Sequence, residues 1–158
     1  MITQYYAAFG SNLSHDQMKC RCPAAKPLTS SFIPDYTLAF KSVANIIASP
    51  QKKVPVGVYS ITEACETALD CFESYPNLYT KKYLKLKLFD DQVLVMTYVM
   101  KKEYGFGNPS DAYYRVIGEG YIDWGIDDTF LTEARDYAIK NEDGTAFRSK
   151  RWDGNAYK

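Results

Sequence analysis

Histidine is almost missing from this chain, with His15 the only one in 158 residues. Cys20-x-Cys22 therefore lacks both a histidine partner set and a second tight cysteine pair to complete a tetrahedral site, and no metal centre is expected. Net charge is missing as well. Lys plus Arg equals Asp plus Glu at 19 each, which removes any general electrostatic pull toward nucleic acid or an anionic membrane. No apolar run approaches membrane-spanning length, and Met1-Ile2-Thr3-Gln4 shows no basic region followed by an apolar core. A cytoplasmic protein is the expectation, with Cys20, Cys22, Cys65 and Cys71 as reduced thiols. Internal repeats and interdomain linkers are absent too. The chain reads as one domain over residues 1–140 with a tail over 141–158, long enough to bury a core unaided. The expected partner is a small molecule, and nothing in the sequence speaks to oligomeric state.

What the chain has in quantity is aromatic side chains, 15% of residues, with 14 tyrosines. Tyrosine suits half-buried sheets and pocket walls that need an apolar body with a polar tip. The most informative stretch is Tyr5-Tyr6-Ala7-Ala8-Phe9-Gly10-Ser11-Asn12-Leu13-Ser14. An apolar run, expected as a central strand over Thr3–Phe9, breaks at Gly10 into small polar residues and a helix start. Such a junction exposes backbone N–H groups and the positive end of a helix, a place where an anion can be held. An ordinary capped turn has the same pattern. Ser14 sits three residues before Gln17, the capping-box spacing, and the short helix it opens stops at Pro23. Ser14, His15 and Asp16 are not a catalytic triad, because consecutive helical residues point in different directions.

Pro23 to Pro34 reads as loop, Tyr36–Lys41 as an alternating strand, Asn45–Pro50 as a short strand and Val54–Ile61 as a valine-rich one. Gly57 marks a bulge or a close approach within the last of these. Thr62 caps a helix to Glu73 with Cys65, Ala68, Leu69 and Phe72 on its buried face. Glu73 falls in the last turn, where the helix dipole disfavours a carboxylate, and violations of local rules concentrate at functional sites, although an ordinary exposed glutamate at a small energetic cost gives the same pattern. Tyr83–Phe89 and Gln92–Met100 form a hairpin, with Lys85 and Lys87 on a solvated face. A third helix is expected from Asp111 to Ile117, closed by Gly118 and Gly120, and a last one begins near Asp128 or Thr129. From Asn141 periodicity disappears and a frayed terminus is expected, with Lys150-Arg151-Trp152 as the one cluster able to dock.

Tyr6-Ala7-Ala8-Phe9-Gly10-Ser11-Asn12-Leu13, Arg21-Cys22-Pro23, the run from Leu69 to Tyr79 and Pro109-Ser110-Asp111-Ala112-Tyr113 form a combination more specific than any of its pieces. Together they resemble the gamma-glutamylcyclotransferase family, over about Tyr5 to Leu131. The resemblance implies an α+β fold, a small mixed, largely antiparallel β-barrel with surrounding short helices. It also implies an enzyme that cyclises a γ-glutamyl amide or γ-glutamyl-amino acid to 5-oxoproline with release of the amine, with Glu73 as general acid and base and no cofactor. Tyr6, Phe9, Gly10, Ser11, Asn12, Leu13 and Tyr113 would bind the substrate. Two positions depart from the family pattern: Phe9 stands where tyrosine is usual, and Ser74 where glycine is. Ser74 would resist a positive φ. A non-catalytic small-molecule-binding module of the same fold is the alternative.

Overall fold

Strand β1 (Gln4–Ala8) occupies the middle of a five-stranded sheet, as its apolar character on both faces requires. It runs antiparallel to β3 (Val43–Ile61) and parallel to β5 (Asp91–Met100). β2 (Lys26–Lys41) and β4 (Tyr79–Leu88) form the outer strands, so the order is β2-β3-β1-β5-β4. Four helices complete the fold: α1 (His15–Arg21), α2 (Glu63–Phe72), α3 (Asp111–Trp124) and α4 (Thr129–Lys140). The computed structural model describes residues 3–152. The expected mixed α+β fold is present, but the sheet is open. Its two outer strands meet through side-chain contacts, Ser31 Oγ donating to the Lys87 carbonyl at 2.7 Å and Lys82 Nζ lying over the Tyr36 ring, instead of a ladder. "Barrel" therefore describes the curl of the sheet and not its closure.

Several boundaries differ from the sequence expectations, each for a physical reason. The proline-rich stretch expected as loop belongs to β2, which begins at Lys26 and contains Pro27 and Pro34. β2 is an outer strand, where a missing N–H costs no ladder bond, and the register steps between Pro27 and Thr29 and between Pro34 and Tyr36. The second of these irregularities lies opposite residues 49–52, so Asn45–Pro50 and Val54–Ile61, expected as two strands, are parts of one long, bulged β3. Gly57 is a close approach: a Cβ there would fall 2.3 Å from the Trp124 ring. The hairpin is β4 and β5 in regular antiparallel register, with Lys85 and Lys87 exposed.

Helix α3 does not end at its glycines. It runs to Trp124 and is closed by Gly125 in the left-handed conformation. Gly118 and Gly120 lie inside it, and Gly120 is there for packing, since a Cβ would come within 2.5 Å of Leu13 Cβ and 2.7 Å of the Leu13 and Ser14 backbone. The thiol expectation is also corrected. Cys22 and Cys65 are disulfide-bonded, Cα–Cα 5.2 Å, tying the end of α1 to α2, while Cys20 and Cys71 are free and exposed. Among the described residues no cluster of three or more His, Cys, Asp or Glu is placed to hold a metal ion. Among the described residues no helix is long and apolar enough to cross a membrane.

The chain beyond α4 does not fray as far as it is described. The Gly105 amide donates to the Thr145 carbonyl at 3.2 Å, Ser42 Oγ donates to the Phe147 carbonyl, and Trp152 is 5% exposed. Residues 153–158 lie outside the described residues.

Ser74, at the position where the resemblance has glycine, adopts φ 51. It takes the left-handed conformation despite its Cβ, and its carbonyl accepts from the Asn77 and Leu78 amides at 2.9 Å each. A left-handed residue with a side chain costs about 1–2 kcal/mol, and glycine gives back about 0.5–1 in unfolded-chain entropy. Ser74→Gly is therefore expected to raise the free energy of unfolding by about 0.5–1 kcal/mol, read as a higher urea midpoint at unchanged slope.

Candidate functional site

After β1 the chain turns at Gly10 into a single 3-10 turn, Ser11–Leu13, and Ser14 caps α1 by accepting from the Gln17 amide at 3.3 Å. The turn uses two of its own amides: Leu13 N–H donates to Gly10 O at 3.0 Å and Ser14 N–H to Ser11 O at 3.1 Å. The Ser11 and Asn12 amides donate to no acceptor among the described residues. Gly10 is held close to the opposite wall, since a Cβ on it would lie 3.1 Å from Tyr113 Oη.

These residues open onto a cavity of about 420 Å³. Of the residues anticipated from sequence, Tyr6, Phe9, Gly10, Ser11, Asn12, Glu73 and Tyr113 all line it. Leu13 does not. Its side chain is fully buried and its carbonyl accepts from Trp124 Nε1 at 2.8 Å and Tyr59 Oη at 3.3 Å. Leu13 fixes the turn to the core from behind, and its apolar side chain follows from that place.

Glu73 reaches the cavity because α2 ends there. It is the C-cap of that helix, its amide bonded to the Leu69 carbonyl at 2.8 Å, and the left-handed Ser74 turns the chain away immediately afterwards. Its Oε1 accepts from Asn12 Nδ2 at 3.3 Å, and the same nitrogen donates to Tyr6 Oη at 2.9 Å. Arg21 orients that amide from the other end, donating through Nη1 to Asn12 Oδ1 and to Ser11 Oγ, the latter at 3.1 Å. Asn12 thus ties the turn to the carboxylate in one fixed orientation.

Burial pushes the Glu73 carboxyl up to about 7, against the pull of the Arg21 and Arg151 guanidiniums. Both guanidiniums lie over the Phe72 ring, 3.3 Å and 3.8 Å from its centroid. The residue before Glu73 thus carries two cations on its ring. The nearby phenols behave differently. Burial raises Tyr6, Tyr79 and Tyr113 above the ordinary tyrosine value, leaving them neutral donors and acceptors near pH 7. Tyr113 Oη accepts from the Ala44 amide and Tyr79 Oη donates to the Ala44 carbonyl, both at 3.0 Å.

The cavity wall also contains residues that sequence reasoning did not single out. Tyr79 and residues 147–149 are among them, next to the Lys150-Arg151-Trp152 cluster named above as able to dock, and Arg21 acts from just behind. Arg21 stands in a quoted motif but without a role, since only the fold brings it to Asn12. The terminal segment has no periodicity from which its docking could be read.

Chemically, the site offers one carboxylate able to give and take a proton near neutrality, open amides that can face an anion, and neutral phenols. No histidine or cysteine lines it among the described residues. The site is thus fitted to move protons for a nucleophile supplied by the ligand.

The family model described as gamma-glutamyl cyclotransferase, AIG2-like matches residues 6–122. Similar solved structures include a gamma-glutamyl cyclotransferase, 22% identical over 95% of each chain with a TM-score of 0.73. The uncharacterized protein loc79017 from Homo sapiens is 22% identical over 94% of this chain and 95% of that one, TM-score 0.73. YkqA from Bacillus subtilis is 14% identical with a TM-score of 0.76, covering 91% of this chain but 57% of its own. At these identities the likeness is one of fold. No curated protein matches the chain.

Proposed function

The chain belongs to the gamma-glutamyl cyclotransferase, AIG2-like family, and from that premise we propose that it converts a γ-glutamyl amide to 5-oxoproline with release of the amine. The observation that carries this reading is Glu73, a carboxylate raised to about 7 on the wall of a pocket that also presents the Ser11 and Asn12 amides. The reaction needs no protein nucleophile, because the substrate's own α-amine attacks its side-chain carbonyl carbon. A pocket that folds the substrate onto itself makes that attack intramolecular.

The proton inventory assigns one group. Glu73, ionised, accepts a proton from the attacking α-amine as the new carbon–nitrogen bond forms. It then returns the proton to the leaving nitrogen as the amide bond breaks, so the carboxylate is regenerated and atoms balance without a cofactor. The turn amides face either the α-carboxylate or the oxygen that becomes negative during attack, and a well-placed donor of the second kind contributes about 2.7–4 kcal/mol. Tyr6 and Tyr113 wall the bound substrate and Asn12 keeps the carboxylate aimed. Phe9 adds apolar surface without a hydroxyl.

The test is a panel of γ-glutamyl dipeptides, γ-glutamyl amines and glutathione, assayed for 5-oxoproline across pH. Because Glu73 must be ionised to start the cycle, kcat/KM is expected to rise with pH through about 7 and to fall about tenfold per unit below it. Binding of panel members without any product would make the protein a binding module instead.

A further inference from the structure

The pocket is unevenly charged although the chain is not. Among the described residues its lining holds one carboxylate, Glu73, and three cations, Arg148, Lys150 and Arg151, in a sequence whose basic and acidic residues balance at 19 each. All three cations come from one short segment beyond the family-matched span, which ends at residue 122.

That segment is anchored at both ends. Ser42 Oγ holds the Phe147 carbonyl, and buried Trp152 packs edge-on against Tyr113, ring centroids 4.7 Å apart. Arg151 is already engaged, donating to the Phe72 carbonyl at 3.2 Å and lying over the Phe72 ring. Arg148 and Lys150 are exposed on either side of buried Ser149. Neither has a hydrogen bond, ion pair or ring contact to other described residues. Two cations held on a pocket wall and uncommitted among the described residues keep their charge and donors for a ligand.

A γ-glutamyl group brings one carboxylate of its own, and the Ser11 and Asn12 amides, on a different segment, are open to it. We infer that Arg148 and Lys150 are specificity-determining residues that receive a second anion, a carboxylate carried by the leaving amine. Preferred substrates are then γ-glutamyl amino acids or peptides, and γ-glutamyl amines lacking a carboxylate are poor ones. The inference rests on the cyclotransferase reading for how the substrate is oriented.

The experiment compares γ-glutamyl-alanine with γ-glutamyl-ethylamine, which differ only by the carboxylate. The wild-type kcat/KM ratio is expected to favour the alanine compound by about tenfold or more, the scale of one hydrogen bond to a charged group. Arg148→Ala with Lys150→Ala should bring the ratio close to one, Arg148→Glu with Lys150→Glu should invert it, and Arg148→Lys with Lys150→Arg should preserve it. Equal use of both compounds by the wild type, or a ratio unmoved by charge reversal, overturns the inference. Calorimetry with glutaryl-alanine and glutaryl-ethylamide provides a separate reading, since neither has an α-amine and neither can cyclise. A carboxylate-dependent affinity that charge reversal abolishes, without 5-oxoproline from any substrate, defeats the cyclisation reading alone. Turnover with no carboxylate dependence in either assay defeats the charge inference alone.

Discussion

Replacing Glu73 with glutamine is expected to lower kcat/KM for 5-oxoproline formation by about 10²–10⁴-fold, the range a positioned acid–base group supplies. Glutamine keeps the shape and one carbonyl oxygen, so the contact from Asn12 Nδ2, 3.3 Å in the native protein, has an acceptor to meet. What disappears is the one group able to hold a proton near pH 7 at this point of the pocket. The acidic limb of the pH profile should vanish with it, because the neighbouring phenols are pushed upward by burial and do not titrate there. Substrate affinity, measured by calorimetry, should persist. A variant that retains turnover within threefold of wild type and the same pH limb would remove Glu73 from the chemistry.

The second large effect is expected far from any proton, at a pair of glycines in α3. On propensity alone, alanine is better than glycine inside a helix by about 0.8–1 kcal/mol. Gly118 has only Leu131 Cδ2, at 4.0 Å, near the position of an added Cβ, so Gly118→Ala should stabilise by roughly that amount. Gly120 has the Leu13 Cβ at 2.5 Å and the Leu13 and Ser14 backbone at 2.7 Å. Backbone cannot swing aside, and overpacking of this kind costs about 1–3 kcal/mol, so the sign reverses. Gly120→Ala should lower the denaturation midpoint. Because the atoms pushed are those of the turn that carries Ser11 and Asn12, it should also raise KM. Equal midpoint shifts in the two variants would show that α3 does not brace the turn.

How much of this the sequence revealed depends on the range of the interactions involved. The Gly10 turn, the Ser14 and Thr62 caps and the misplaced Glu73 are local features, written in residues within one turn of each other. Those were legible. Gly120 was not: read locally it terminates a helix, and only the packing of Leu13 against it explains why a glycine sits mid-helix. The same applies to Pro27 and Pro34, which break a strand in isolation but are tolerated at the side of a sheet that carries no further ladder. The Cys22–Cys65 pair is separated by 43 positions, and composition carries no sign of such closeness. The docked Phe147–Trp152 segment is the extreme case, held by scattered single contacts to Ser42, Phe72 and Tyr113. Leu13 fell between the two classes: it belongs to a legible motif, yet its side chain serves the core and not the cavity.

The open sheet has a consequence for how copies of this chain meet. An unclosed sheet offers two rows of backbone donors and acceptors to any passing strand, and a chain with no net charge has little long-range repulsion to keep copies apart. Here the strands that would act as templates are spoiled along their length. One contains two prolines and two register steps, and the other alternates leucines with lysines from Leu84 to Leu88. Where the two approach, Ser31 and Lys87 already satisfy each other. Edge-to-edge pairing of copies is thus disfavoured at both margins of the sheet.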